Sequence, residues 1–219
     1  VIAFNQSRKI DMLKKIYLLA LSIITSIILH SYLTNSYFQV RYGESSGNAI
    51  CNISDKFNCE AVSASQYAQF MGLPIAAWGL GLNIALFVLL ISYILSDVYK
   101  KEWMAAFQSL ILVSALGSLV MGIVSLTMLS TQCLFCITLH VLAFLQVYLS
   151  FSISPPKEFT KNLKALFNFQ KIPYPVFAVL LLFPISSTFV NAKLKRSYGG
   201  DRIEKQLDAV IQSWKEETN

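Results

Sequence analysis

The 219-residue chain has a formal net charge of +6, and 55% of its residues are hydrophobic whereas only 14% are charged. Soluble domains have about 25% charged residues, so this composition excludes a soluble globular protein. It indicates an integral membrane protein.

Five runs of the sequence are long and apolar enough to cross a bilayer as helices, which takes roughly 20 residues. None of them contains Asp, Glu, Lys or Arg. They also lack the alternating polarity of membrane-spanning strands. The runs cover residues 16–38, 75–95, 103–129, 133–153 and 172–190. The sequence therefore predicts an all-α bundle of transmembrane helices.

Lysine and arginine residues collect before the first run and in the segments after the second and fourth runs. The loop 33–74, in contrast, contains only Arg41 and Lys56. Because cytoplasmic loops retain basic residues, we expect this loop to lie on the outer face. The expected cytoplasmic parts are an N-terminal segment, 1–15, and a loop, 154–171. Beyond them we expect a fifth transmembrane helix, 172–192, and a tail or linker, 193–219.

With this topology all four cysteines lie at the outer face. Cys51 and Cys59 are in the long loop, and the Cys133-x-x-Cys136 motif begins the fourth run. We expect Cys133 at the exposed start of that helix and Cys136 one turn deeper. The outer face is the oxidising side, where disulfides persist.

Three explanations of the cysteines remain open from their spacing. They are a four-thiolate zinc site, two permanent structural disulfides and a thiol switch. The Cys51/Cys59 spacing is wider than in a usual zinc knuckle, and a short Cys-x-x-Cys loop constrains little unfolded-state entropy. The amino end of a helix stabilises a thiolate, which favours a redox-active pair.

The same residues carry a resemblance to a known family. Cys51, Cys59 and Ser65 are followed by MGLPIAAWG (71–79) at the start of one run and by Cys-Leu-Phe-Cys (133–136) at the start of a later one. This pattern resembles the vitamin K epoxide reductase family, specifically its bacterial quinone-linked disulfide-forming branch, over a four-helix catalytic core at 16–153. The resemblance implies four transmembrane helices around a quinone, with a fifth helix added. It also implies a short half-helix, here 61–70, along the membrane surface.

The resemblance also implies roles for individual residues. Cys51 and Cys59 would be the shuttle pair that meets the partner protein, and Cys133 and Cys136 the inner pair, with Cys136 nearest the quinone. The hydroxyl of Ser65 would support the redox site. His140 stands where vertebrate members have a tyrosine.

The two histidines in the apolar runs receive different interpretations. His140 would either donate a hydrogen bond to a quinone oxygen or be a buried histidine bonded to a neighbouring helix. His30 has no motif around it, and we interpret it as a packing residue.

The implied activity is that of a quinone-dependent thiol-disulfide oxidoreductase in the bacterial inner membrane, with its active site at the periplasmic face. Its cofactor would be ubiquinone or menaquinone. Its partner would be a thioredoxin-like or DsbA-like periplasmic protein, acting in trans or as a fused domain. We expect a membrane-lipid environment and no nucleic-acid or metal partner.

Three other functions are alternatives to this one. A vitamin K epoxide reductase proper would differ in substrate, and a scaffold with structural disulfides would need no thiol turnover. A transporter should have polar groups or broken helices near the middle of the membrane, and these runs have few.

Overall fold

The computed structural model describes residues 2–42, 50–54, 56–96, 100–159 and 184–197. Four long helices dominate it, namely α1 (Ile2–Tyr42), α3 (Ile75–Leu95), α4 (Lys100–Met128) and α5 (Leu134–Ile153). Between α1 and α3 lie a short helix, α2 (Cys59–Ala64), a single turn of 3-10 helix (Gln66–Ala68) and two short antiparallel strands, β1 (Gln69–Phe70) and β2 (Leu73–Pro74).

The four long helices form a closed ring. Helix α1 packs against α3 and α5, and α4 packs against the same two helices from the other side. Among the described residues, these four helices are long and apolar enough to cross a membrane. Many of their outward side chains are large and apolar, such as Leu116, Val120 and Leu126 of α4. The predicted class, an all-α membrane bundle, is confirmed.

The predicted runs agree with the helices to different degrees. Residues 75–95 coincide with α3, whereas α1 starts well before residue 16, because a helix that leaves the apolar region can continue through polar sequence. Of the expected fifth helix, 172–192, only 184 onward is described, and residues 184–197 are helical. Most of the loop 154–171 and of the tail 193–219 lies outside the described residues.

The half-helix expected over 61–70 is different in the structure. Helix α2 begins two residues earlier, at Cys59, and ends at Ala64. Ser65 has an extended backbone, and its hydroxyl donates to the carbonyl of Val62 at 2.7 Å, which ends the helix. The prediction was therefore wrong in extent, because the last residues of the stretch pair as a strand with β2 instead of continuing the helix.

The main apolar core fills only one half of the length of the helix bundle. It contains fully buried side chains from three of the long helices, among them Leu86, Phe107 and Ile111. This half is remote from the cysteines. Because neighbouring long helices are antiparallel, the end of α1, the start of α3, the end of α4 and the start of α5 lie together at one end of the bundle, next to the cysteines. We call this the cysteine end of the bundle. The interior near it is not filled by the core.

Candidate active site

Two disulfides lie at the cysteine end. Cys51 is bonded to Cys59 and Cys133 to Cys136, so both pairs are oxidised. Cys51, Cys59 and Cys133 belong to one buried apolar cluster, and Cys136 packs against it. The loop pair and the helix pair are therefore neighbours, although they come from distant parts of the sequence.

Gln132 links the two segments of the chain that contain the cysteine pairs. Its backbone N–H donates to Lys56 O at 2.7 Å, and its carbonyl accepts from Asn58 N–H at 3.0 Å, so that Phe57 and Gln132 form a parallel bridge. The Gln132 side chain is fixed in turn by Ser125 near the end of α4, at 2.7 and 2.9 Å. Cys59 follows Phe57 by two residues, and Cys133 directly follows Gln132. The bridge therefore fixes the backbone close to both cysteines.

The loop cysteines are not accessible in this state. Cys51 and Cys59 both have 0% of their surface exposed. Asn58 caps the start of α2 by accepting from Ala61 N–H at 2.9 Å, which holds Cys59 at the first position of the helix. A partner protein can reach this disulfide only after the loop has moved.

The expectation that Cys133 lies at an exposed helix start was wrong. Cys133 is the N-cap residue of α5 and is 1% exposed, because it lies in the buried cluster with Cys51 and Cys59. Its sulfur accepts a hydrogen bond from Cys136 N–H at 3.1 Å. Cys136 is half-buried instead, and its accessible side faces an internal cavity.

The cavity occupies the half of the bundle that the main apolar core does not fill. Its volume is about 320 Å³, and its walls are mostly apolar. All four long helices and the segment 59–74, which we call the cap, contribute to it. Among the lining side chains that carry a hydrogen-bonding group or a sulfur atom are His30, Ser65, Ser118, Cys136 and His140.

The cap is tied to the end of α1 by two polar contacts. Tyr37 donates its hydroxyl to the Gln69 side chain at 2.8 Å. Arg41 reaches the carbonyl of Ser65 at 3.3 Å and lies over the Tyr37 ring, 5.1 Å from its centre. Ser65 also lines the cavity, and its hydroxyl, which was predicted to support the redox site, donates to the carbonyl of Val62.

The hairpin of the cap turns sharply at Met71 and Gly72. Both residues have positive φ, 53° and 76°, a conformation that favours glycine and is uncommon for methionine. Trp78 Nε1 donates to Phe70 O at 3.1 Å and fixes the hairpin against the start of α3. The motif MGLPIAAWG therefore encodes a turn, a strand and the beginning of a spanning helix.

His140 contacts a residue that the sequence analysis did not single out. Its Nδ1 lies 2.6 Å from the Ser118 hydroxyl on α4. His140 therefore both faces the cavity and is bonded to a neighbouring helix, so the two interpretations left open by the sequence are compatible.

His30, which we interpreted as packing, also lines the cavity. Its Nδ1 is 2.8 Å from the carbonyl of Ser26, one turn earlier in α1. The ring lies against the backbone of Gly79 in α3, where a Cβ atom would overlap it. The only signals in the sequence were a histidine in an apolar run and a glycine in the MGLPIAAWG motif, and nothing in the sequence connects them.

The sequence model of the vitamin K epoxide reductase family matches residues 16–151, well over half of the chain. The chain belongs to the vitamin K epoxide reductase family. Among curated proteins, no sequence matches it closely enough to serve as a named relative.

Membership of the vitamin K epoxide reductase family agrees with the arrangement of the cysteine end. The matched region contains both disulfides, the cap and the four helices that surround the cavity. The family implies an oxidoreductase of the membrane, and the two disulfides are candidate redox-active groups for such chemistry.

Proposed function

We propose that this member of the vitamin K epoxide reductase family oxidises the thiols of a thioredoxin-like or DsbA-like protein and passes the electrons to a membrane quinone. The observation that carries the proposal is the position of the two disulfides relative to the cavity. Cys136 is the cysteine that lines the cavity, whereas Cys51 and Cys59 do not line it and belong to the segment between α1 and α3. This arrangement supports a lipid-soluble oxidant at the Cys133–Cys136 pair and a protein partner at the loop pair.

The first stage transfers the partner's electrons to the loop pair. A partner thiolate attacks the Cys51–Cys59 disulfide, and the second partner thiol resolves the mixed disulfide. The partner leaves with a disulfide, and Cys51 and Cys59 are left as thiols. Because thiol exchange needs direct contact between sulfurs, this stage requires the loop to open.

The second stage moves the electrons to the helix pair. The Cys59 thiolate attacks Cys133, breaks the Cys133–Cys136 bond and releases Cys136 as a thiolate. Cys51 then attacks Cys59, which restores the loop disulfide and frees Cys133. The backbone bridge between Phe57 and Gln132 supports this order, since it brings Cys59 and Cys133 into one cluster.

The third stage oxidises the Cys133–Cys136 dithiol. The two thiols lose two electrons and two protons and close to a disulfide, while a quinone gains both and becomes a hydroquinone. Cys136 is the third residue of the α5 amino end, where the helix dipole stabilises its thiolate. The cavity volume of about 320 Å³ lies at the lower end of ligand pockets and suits a quinone ring whose tail extends into lipid.

In the tautomer in which Ser118 donates to His140 Nδ1, the other ring nitrogen of His140 carries a proton. That N–H can donate to a quinone carbonyl oxygen. His140 would then orient the oxidant near Cys136, which supports its assignment as a binding residue. The proposed use of ubiquinone or menaquinone at the periplasmic face of a bacterial inner membrane rests on the resemblance to the bacterial branch and on the distribution of basic residues.

The proposal is tested by quinone reduction with two electron donors. Cys133→Ser and Cys136→Ser should each abolish quinone reduction with every dithiol, because that pair is the route to the cavity. Cys51→Ser should lose turnover with a thioredoxin-like donor but retain part of it with dithiothreitol, which can enter the opened site. Equal loss for all four cysteine variants with both donors would contradict a two-stage relay.

A further inference from the structure

The cavity has a second histidine for which the proposed electron path has no role. His30 lies on α1 and against α3, while His140 lies on α5 and is bonded to α4. In the ring of four helices these are opposite walls. A para-quinone has two oxygen atoms on opposite sides of its ring, so an occupant held by His140 at one oxygen directs the other toward the far wall.

The hydrogen bond of His30 fixes which of its ring nitrogens can receive a proton. A backbone carbonyl can only accept, so Nδ1 must donate to Ser26 O. In the neutral ring Nε2 then has a lone pair and no hydrogen. Within the described part of the chain, we find no other hydrogen bond of this ring.

Nε2 is the ring atom nearest the Cβ position of Gly79, a residue that itself lines the cavity, so the free lone pair lies at the cavity wall. When Ser118 donates to Nδ1 of His140, that histidine presents a donor to the cavity, whereas His30 presents an acceptor. A quinone carbonyl cannot donate to Nε2, whereas the hydroxyl of a hydroquinone can. The reaction proposed above creates two such hydroxyl groups, since the dithiol loses two protons and two electrons to its oxidant.

We propose that His30 Nε2 accepts a hydrogen bond from one hydroxyl of the bound hydroquinone, so that the cavity binds the reduced form in preference to the oxidised form. This inference rests on the proposed quinone reduction. A group that stabilises the product selectively makes the bound quinone a stronger oxidant for the Cys133–Cys136 dithiol. His30 is then a residue that binds the product and sets the driving force of the last transfer.

Gly79 is part of this arrangement. The His30 ring occupies the space where a side chain on α3 would begin, so only glycine lets it lie against that wall. Gly79→Ala should displace the ring without changing its chemistry. It provides a second variant that is independent of the histidine itself.

The test compares the affinities of the full chain in nanodiscs for decylubiquinone and for decylubiquinol. Quenching of Trp78, which lines the cavity, reports quinone binding, and competition against the bound quinone reports the quinol. His30→Phe should weaken quinol binding about tenfold, the upper range for one hydrogen bond, while quinone binding changes less than twofold. Ser31→Ala is the control, because Ser31 is exposed on the same helix and bonds only its own helix at Ile27 O.

Three outcomes would decide the question. A selective loss of quinol affinity in both His30→Phe and Gly79→Ala supports the proposal. Equal losses for the two ligands, or an unchanged quinol affinity, would overturn the role of His30 while leaving the proposed function intact. Failure of the wild-type chain to bind either form would overturn both.

Discussion

Ser118 and His140 are joined by one short hydrogen bond, and this bond makes the role of His140 testable without removing the histidine. Ser118→Ala leaves the imidazole in place but frees its tautomer and orientation. If His140 donates to the quinone, the quinone concentration for half-maximal rate should rise about fivefold to tenfold. The maximal rate should change much less.

Two comparisons separate this effect from a loss of packing. Ser118→Thr keeps the hydroxyl and should restore most of the quinone affinity. Ser109→Ala, on the same helix, removes only a bond to Ala105 O and should leave the quinone titration unchanged. A fall in melting temperature with a normal quinone titration would assign Ser118 to packing alone.

Cys51→Ala tests the order of thiol exchange. The remaining Cys59 can attack the helix disulfide, but no loop cysteine is left to resolve the product. We expect a Cys59–Cys133 disulfide to accumulate under oxidising conditions with quinone present, with Cys136 as a free thiol. Peptide mapping without reduction identifies the bond. A dominant Cys59–Cys136 bond would reverse the roles of the two helix cysteines.

The sequence predicted some residues of the site and not others, for physical reasons. The four cysteines were found because their spacing and the distribution of basic residues are both local signals. His30 and Ser118 were missed because their roles arise from contacts between helices, with Gly79 and with His140. The burial of Cys133 was missed for the same reason, since it packs with Cys51 and Cys59 from a distant part of the chain.

At the scale of elements, Gln132 binds the segment around Phe57, which lies between the two loop cysteines. Its backbone holds the residues around Phe57, and its side chain is bonded to Ser125. Gln132→Ala keeps the backbone bonds but removes the support for them. We expect the Cys51–Cys59 disulfide to be reduced by dithiothreitol several times faster, as judged by alkylation and mass spectrometry.

Thr131→Ala is the matched control, as it changes the neighbouring residue and leaves the Ser125 contacts in place. An unchanged reduction rate in Gln132→Ala would indicate that the loop opens without releasing Gln132. The opening would then be confined to residues nearer Cys51.

The extents of the elements were predictable where a boundary depends on apolar sequence. Residues 75–95 matched α3 because Pro74 precedes the helix and the apolar run ends at its last turn. Hydropathy could not mark the start of α1, because it reports where a chain can be in lipid and not where the helix begins. The break of the half-helix at Ser65 depends on strand pairing with β2, which composition does not indicate.

At the scale of the whole molecule, the cavity and all four cysteines share one half of the bundle. The other half is closed by buried side chains such as Leu86, Phe107 and Ile111. On the proposed route, the electrons and the protons that reach the quinone both start from thiols at the cysteine end. Neither has to pass through the packed half.

The packing of this half has a consequence for how turnover depends on the membrane potential. Moving one elementary charge across a membrane costs or yields about 2.3 kcal/mol per 100 mV, but on the proposed route no charge crosses. We expect turnover in sealed vesicles to stay within about twofold when a potential of either sign is imposed by a potassium gradient and valinomycin. A steep dependence on voltage would reveal a proton path through the packed half. If turnover is electroneutral, disulfide formation can continue in a membrane that has lost its potential, for as long as oxidised quinone is supplied.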